Sequence, residues 1–153
     1  MMTREESCSQ IDEAIANFCF EGQLIEKEPY GNGHINDTFL LKYRSQDNQI
    51  KKYILQRMNH DIFKNTRELM ENVIGVTSYL RKQILKSGGD PGHETLNFLP
   101  TCDGESYYVD SKDNSWRVCG FVEDTTCLES VNTLDDFYQS AVAFGNFQRL
   151  LID

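Results

Sequence analysis

The stretch Tyr30-Gly31-Asn32-Gly33-His34-Ile35-Asn36-Asp37-Thr38-Phe39 decides the fold, because it places a glycine-rich turn between two segments that favour β-strands. Residues 24–30 before the turn have an extended pattern, and residues 38–43 after it are rich in strand-forming side chains. Gly31 and Gly33 carry no Cβ, so backbone N–H groups can come close to an anion here. The sequence therefore predicts a hairpin whose turn can bind a phosphate group.

A third strand-like segment carries a cation close to this turn. It reads Tyr53-Ile54-Leu55-Gln56-Arg57-Met58, and a polar turn at residues 45–48 connects it to the second segment. Strands joined by such short connections form an antiparallel meander. Arg57 would then supply a fixed positive charge beside the glycine turn.

Helical periodicity marks three further segments. Residues 8–20 form an amphipathic pattern that can begin at Ser9, a favourable N-cap residue. A second helix is predicted after the cap residue Asn65 and ends at the glycines and proline of residues 87–92. A third follows Thr133 and runs to the end of the sequence. The second helix carries an apolar stripe of Leu69, Val73, Val76, Leu80 and Ile84, and the third carries Phe137, Phe144 and Phe147, which we expect in the core.

More strands are predicted between the second and third helices. They fall in residues 95–101, 107–109 and 116–122, with turns at Asp103-Gly104 and Asp113-Asn114 between them. Two or three strands are expected from these segments. The fold class is therefore α+β, with a mostly antiparallel sheet of five to six strands.

Composition narrows the classes of partner. The chain has 153 residues, 39% hydrophobic and 25% charged, which suits one globular domain with a sizeable core. A net charge of −9 disfavours nucleic acid and anionic membranes, because both select a basic surface. The sequence contains no apolar run near the roughly 20 residues that span a bilayer, and its first residues lack a secretory pattern. We expect a cytoplasmic protein.

The cysteines predict neither a disulfide framework nor a zinc site. There are five of them, an odd number, and none forms a Cys-x-x-Cys pair. We expect free, partly buried thiols. The three histidines are isolated, without the paired spacing of a metal site, so no metal-binding residue is predicted.

Several motifs together resemble the aminoglycoside phosphotransferase and choline kinase superfamily, and within it N-acetylhexosamine 1-kinases most. The resemblance spans about residues 22–152. It is carried by the glycine turn and the Arg57 strand, and by three later segments: residues 67–73, Trp116-Arg117-Val118 and residues 143–150. It implies the small lobe of a protein-kinase-like fold with a crossing helix. It also implies three parts: a helical segment at residues 1–21, an ATP-binding lobe at 22–132, and the start of a large-lobe helix at 133–153.

The resemblance assigns ATP-binding roles to named positions. The turn through Gly31, Gly33, His34 and Asn36 would cover the phosphates with backbone amides. Arg57 aligns with a strand lysine that grips the α- and β-phosphates, and Gln56 is the adjacent alternative. Leu55 lies on the same face as Arg57 by alternation and would rest on the adenine. The helix acid paired with the strand cation would be Glu71, or Glu68 one turn earlier, and the hinge facing the adenine edge would be Phe121, Val122 and Glu123.

The same resemblance places catalysis elsewhere. The family's His-x-Asp-x-x-x-x-Asn loop and the carboxylates that bind Mg²⁺ belong to a large lobe, and no such loop occurs in the 153 residues. The nearest run, His60-Asp61-Ile62-Phe63-Lys64-Asn65, has the wrong spacing. We therefore predict no catalytic residue in this chain and no kinase activity from it alone.

Two functions follow as alternatives. The first is the ATP-binding part of a sugar kinase that phosphorylates a hydroxyl of an N-acetylhexosamine or similar molecule. The second is a noncatalytic binding or regulatory module derived from such a lobe. An isolated lobe would expose Phe144, Phe147 and Leu151 and self-associate through its last helix.

Overall fold

The computed structural model describes residues 4–31, 35–125 and 130–152. Within these residues it has four helices and one sheet of six strands, so the predicted α+β class is correct. The elements in chain order are α1 (Arg4–Ala16), β1 (Gln23–Pro29), β2 (Asp37–Arg44), β3 (Ile50–Arg57), α2 (Thr66–Lys86), α3 (Pro91–Glu94), β4 (Phe98–Leu99), β5 (Tyr108–Val109), β6 (Ser115–Gly120) and α4 (Leu134–Leu150).

The sheet is antiparallel throughout. Its strand order is β1-β2-β3-β6-β4, and β5 pairs with β6. The predicted meander of β1, β2 and β3 is confirmed, and the turn between β2 and β3 closes with the Ser45 amide donating to the Gln49 carbonyl at 3.0 Å. In the register, Asp37 is opposite Arg57 and Gln56 is opposite Arg117.

One face of the sheet packs against α1. Ile11 and Ala14 of the helix are buried against strand residues of alternate positions, and partly buried aromatic side chains pack against the same cluster. Predicted helix ends are wrong here: α1 begins at Arg4 and ends at Ala16, and Phe18 pairs with Thr101 in an isolated bridge instead. The buried strand residues of this core are Leu41, Tyr43, Leu55, Trp116 and Val118.

Two links hold α1 and the segment after it to the rest of the sheet. The Glu13 carboxylate accepts hydrogen bonds from the Ser111 hydroxyl and amide, both at 2.7 Å, and from the Tyr108 hydroxyl at 2.9 Å. The bonds from Ser111 are the main reason why the pKa of Glu13 lies below its usual value. A disulfide joins Cys19 to Cys102, so the expectation of free thiols is wrong for this pair.

The chain divides into two compact units, Met1–Gly75 with Asn97–Phe121 and Val76–Leu96 with Val122–Asp153. The first contains the whole sheet. In α2 the predicted cap is correct, because the Asn65 side chain accepts from the Glu68 amide at 3.2 Å. The predicted stripe is only partly buried, since Val76 is 38% exposed while Met70, outside the stripe, is fully buried.

The second unit contains the end of α2, the short helix α3 and helix α4. Thr133 and Asp136 cap α4 reciprocally, as the sequence suggested, and the helix ends at Leu150 rather than at the end of the chain. None of its described residues is buried. The expectation that Phe137, Phe144 and Phe147 lie in the core is therefore wrong, because a stripe of helical spacing indicates a face but not what covers it.

Candidate functional site

Gly31 and Asn36 are the described residues near the two ends of the glycine turn, which connects β1 to β2. Gly31 has φ of +74°, a conformation that glycine adopts without strain, and an added Cβ there would contact nothing within 4 Å. Gly33 and His34 lie outside the described residues. At the far end of the turn, Asn36 accepts a hydrogen bond through Oδ1 from the Asn59 amide at 3.0 Å. The β2–β3 register thus brings the turn and the end of β3 together.

Arg57 lies at this same end of the sheet, but its acidic partner differs from the predicted one. Its Nε donates to Asp37 Oδ2 at 2.8 Å, and Nη2 pairs with the same carboxylate. Glu71 instead accepts from Arg67 on its own helix at 2.9 Å. The expected pair of Arg57 with Glu71 is therefore not formed, because Asp37 is the residue directly opposite Arg57 in the sheet.

A polar cleft of about 510 Å³ opens beside this ion pair. The Asp37–Arg57 pair and the segment from Met58 to Asp61 form most of its wall. A guanidinium and amide groups suit an anion, whereas the Asp37 carboxylate repels one. Ile35, Asp37, Arg57, Met58, Asn59, His60, Asp61 and Asn114 line it.

The adenine position assigned to Leu55 is wrong. Leu55 is fully buried in the core beneath α1, so no ligand can rest on it. Ile54 and Gln56 alternate with it and lie on the opposite face of the sheet, where both keep part of their surface exposed. The one-residue difference matters because the register of a strand decides which face each side chain occupies.

A polar network missed by the sequence analysis crosses this second face. Gln56 Oε1 accepts from Arg117 Nε at 3.1 Å and from Nη2 at 2.9 Å, and Gln56 Nε2 donates to Thr38 Oγ1 at 3.2 Å. It links β2, β3 and β6 side by side. A signal was present, since Arg117 interrupts the apolar run Trp116-Arg117-Val118 in the middle of a strand.

The predicted hinge begins within the first unit. The Phe121 amide donates to the Lys52 carbonyl at 3.1 Å, so this N–H already belongs to the sheet. The Phe121 ring meets Tyr30 edge-on with 5.7 Å between centroids, and Lys52 Nζ lies 5.2 Å from the ring. Val122 and Glu123 belong to the second unit, where the Val122 carbonyl accepts from the Thr125 hydroxyl at 3.1 Å.

The described residues give little support to thiol chemistry or to metal binding. Burial raises the pKa of the Cys119 thiol to about 11, so it stays protonated and is a poor nucleophile. Within the described residues, no group of three or more His, Cys, Asp or Glu side chains could hold a metal ion, and no helix has the length and apolar character to cross a bilayer.

No protein-family model matches the chain.

Proposed function

We propose that this chain is the nucleotide-binding part of an ATP-dependent phosphotransferase that acts on a hydroxyl of an N-acetylhexosamine or similar small sugar. The observation that carries the proposal is the β2–β3 register. It brings the glycine turn and a guanidinium to one end of an antiparallel sheet, beside an open polar cleft. The element order of a glycine hairpin, a third strand with a cation, a helix and further strands supports the same class of fold.

The described residues fit ATP in part and do not fit magnesium. Arg57 provides N–H donors for phosphate at the end of the strand, where the polar cleft opens. The described residues hold no cluster of acids for Mg²⁺. In the family that the sequence resembles, those ligands and the catalytic carboxylate belong to a large lobe, so we assign only nucleotide binding to these residues.

Nucleotide titration of the purified 153-residue protein, followed by NMR, tests the proposal. We expect saturable ATP binding in the millimolar range or weaker, because one wall of a cleft recovers only part of the binding energy. Shifts should concentrate at Gly31, Asn36 and Arg57. ATP up to the solubility limit that leaves these signals unmoved would overturn the proposal.

Three variants sharpen this titration. Arg57→Gln should weaken ATP binding about tenfold, the scale of one charge-assisted hydrogen bond. Asp37→Asn should strengthen it, because the carboxylate no longer competes for Arg57 or repels phosphate. Lys51→Gln removes a cation from the same strand that pairs with Glu21 instead, so it is the control and should change nothing.

Catalytic turnover is tested separately from nucleotide binding. A coupled assay with ATP, Mg²⁺ and N-acetylglucosamine or N-acetylgalactosamine should show no phosphorylation by this chain. Turnover would contradict the assignment of catalysis to residues outside it. A cytoplasmic location remains a prediction from the sequence.

The second candidate function is a noncatalytic binding module, and the exposed helix α4 favours it. Phe144 and Phe147 are 63% and 41% exposed, and Leu134 is 91% exposed, as a surface for a protein partner would be. ATP binding distinguishes the two candidate functions, because only the first requires the protein to bind ATP.

A further inference from the structure

Arg117 lies in the middle of β6, on the face of the sheet opposite the α1 core. Its guanidinium is half-buried among uncharged groups. Cζ lies 5.5 Å from the centre of the Phe98 ring, Nη1 lies 4.0 Å from Met70 Sδ, and two N–H groups bond to the Gln56 oxygen. The strand residues on either side, Trp116 and Val118, are buried against α1.

The charge of this guanidinium is not balanced locally. Among the described residues no carboxylate pairs with Arg117, whereas Arg57 and Arg67 each pair with one. Burial lowers the pKa of Arg117, which expresses the same cost of removing a cation from water. An apolar side chain of similar size would avoid that cost, so the cation requires an explanation beyond packing.

The guanidinium is also held in a fixed orientation, and the described residues bond to only some of its N–H groups. Thr38 accepts from the Gln56 amide nitrogen, which fixes the amide so that its oxygen faces Arg117. Of the five N–H groups of arginine, Gln56 takes two and Met70 makes one weak contact. No described residue accepts from the remaining N–H of Nη1 or of Nη2, and these two N–H groups form a fork that suits phosphate oxygens.

We propose that Arg117, held by Gln56, is the cation that binds phosphate on this face of the sheet, and that its ligand is a small phosphate-bearing molecule. This inference rests on the proposed function for the identity of the ligand, ATP, and deepens it. Gln56 then orients the guanidinium of Arg117, and the positive charge comes from β6, the strand next to β3. Arg57 lies on the other, α1 face at the end of the strand, where it pairs with Asp37 beside the glycine turn.

The test uses pyrophosphate and ATP in separate titrations, with the Nε–Hε signals of the arginines followed by NMR. Pyrophosphate should shift the Arg117 signal in the native protein. Arg117→Gln should weaken both ligands at least tenfold, and Arg117→Lys, which keeps the charge but not the fork, should weaken them less. The matched control is Arg67→Gln, which removes an exposed arginine paired with Glu71 and should leave both affinities unchanged.

A stability measurement separates binding from packing. Arg117→Met should keep or raise Tm while losing pyrophosphate binding, because it removes the buried charge and keeps the volume. A lower Tm with unchanged pyrophosphate binding in Arg117→Gln and Arg117→Lys would assign Arg117 to packing and overturn the inference. So would a native Arg117 signal that pyrophosphate does not move.

The outcomes for the two ligands keep the two proposals apart. ATP binding that is equal in the native protein and in Arg117→Gln would overturn this inference and leave the proposed function intact. Pyrophosphate binding at Arg117 without any ATP binding would support the anion site with free phosphate as its source, and would overturn the proposed function.

Discussion

Cys19 and Cys102, 83 residues apart in the sequence, are joined by a disulfide that ties the segment after α1 to the loop between β4 and β5. The adjacent backbone supports the link, since the Cys102 amide donates to the Asn17 carbonyl at 3.0 Å. Cross-linking a loop of this length limits the unfolded chain much more than the folded one.

We expect the disulfide to stabilise the protein by about 4.5 kcal/mol, the loop-entropy value for a loop of this size. Dithiothreitol should lower Tm by roughly 10 °C in the native protein. It should have no effect on the Cys19→Ser/Cys102→Ser variant, whose Tm should equal that of the reduced native protein. The same Tm with and without reductant in the native protein would contradict the link. Thiol trapping in cells also bears on location, because disulfides are rare in the cytosol.

Gly22 should tolerate alanine far less well than Gly31. Both have positive φ, +99° and +74°, so each substitution incurs about 1–2 kcal/mol of backbone strain. At Gly22 the new Cβ would also lie 2.7 Å from the Arg44 carbonyl carbon, whereas at Gly31 it meets nothing. We expect Gly22→Ala to cost more than about 3 kcal/mol in urea unfolding and Gly31→Ala less than about 2. Equal losses would show that the close approach to Arg44 is not rigid.

Asp110 should make the stability of the protein depend on pH in the acid range. Burial opposes ionisation of this carboxylate, but hydrogen bonds from the Trp116 indole, the Asn114 amide groups and the Lys112 amide outweigh it and lower its pKa. A lowered pKa means that the unfolded state binds the proton more readily, so the stabilisation is complete above about pH 4 and is lost as pH falls below it.

The fluorescence of Trp116, the single tryptophan, can follow unfolding across this pH range. Asp110→Ala should cost about 2–3 kcal/mol at pH 7, because it leaves the buried indole N–H without an acceptor. Asp110→Asn should flatten the pH dependence below pH 4. Asp113→Asn is the control in the same turn, since asparagine tolerates the φ of +65° there. A native protein as stable at pH 3 as at pH 6 would contradict the assignment.

Helix α4 should drive self-association. Phe144 and Phe147 have ring centroids 6.5 Å apart and are largely exposed, so they form an apolar patch. Sedimentation velocity should show concentration-dependent association that Phe144→Ser/Phe147→Ser removes and Gln148→Ser keeps. A native protein that stays monomeric at every concentration tested would contradict this expectation.

Local signals in the sequence predicted most of the fold. The meander follows from short polar turns, and the caps at Asn65 and Thr133 depend on residues within one helical turn. The disulfide could not be predicted, because the pairing of Cys19 with Cys102 depends on the folded path of the chain across a sequence separation of 83 residues.

The site was harder to predict for a related reason. Ile54 and Leu55 are both apolar because both faces of β3 are covered to some extent, so alternation alone does not reveal which face lies under α1. Leu55 shares its face of the sheet with Arg57 but lies under α1, whereas Arg57 is at the end of the strand beside the cleft. The role of Arg117 was also missed, because it depends on Gln56, a neighbour in another strand.

Leu55 is buried between two partly exposed neighbours, so the burial of side chains alternates along β3 with a period of two residues. Variants at Leu55 would lower the amount of folded protein that a cell accumulates, whereas polar variants at the partly exposed Ile54 would lower it much less. Protein abundance, measured for variants along this strand, should therefore alternate from one residue to the next.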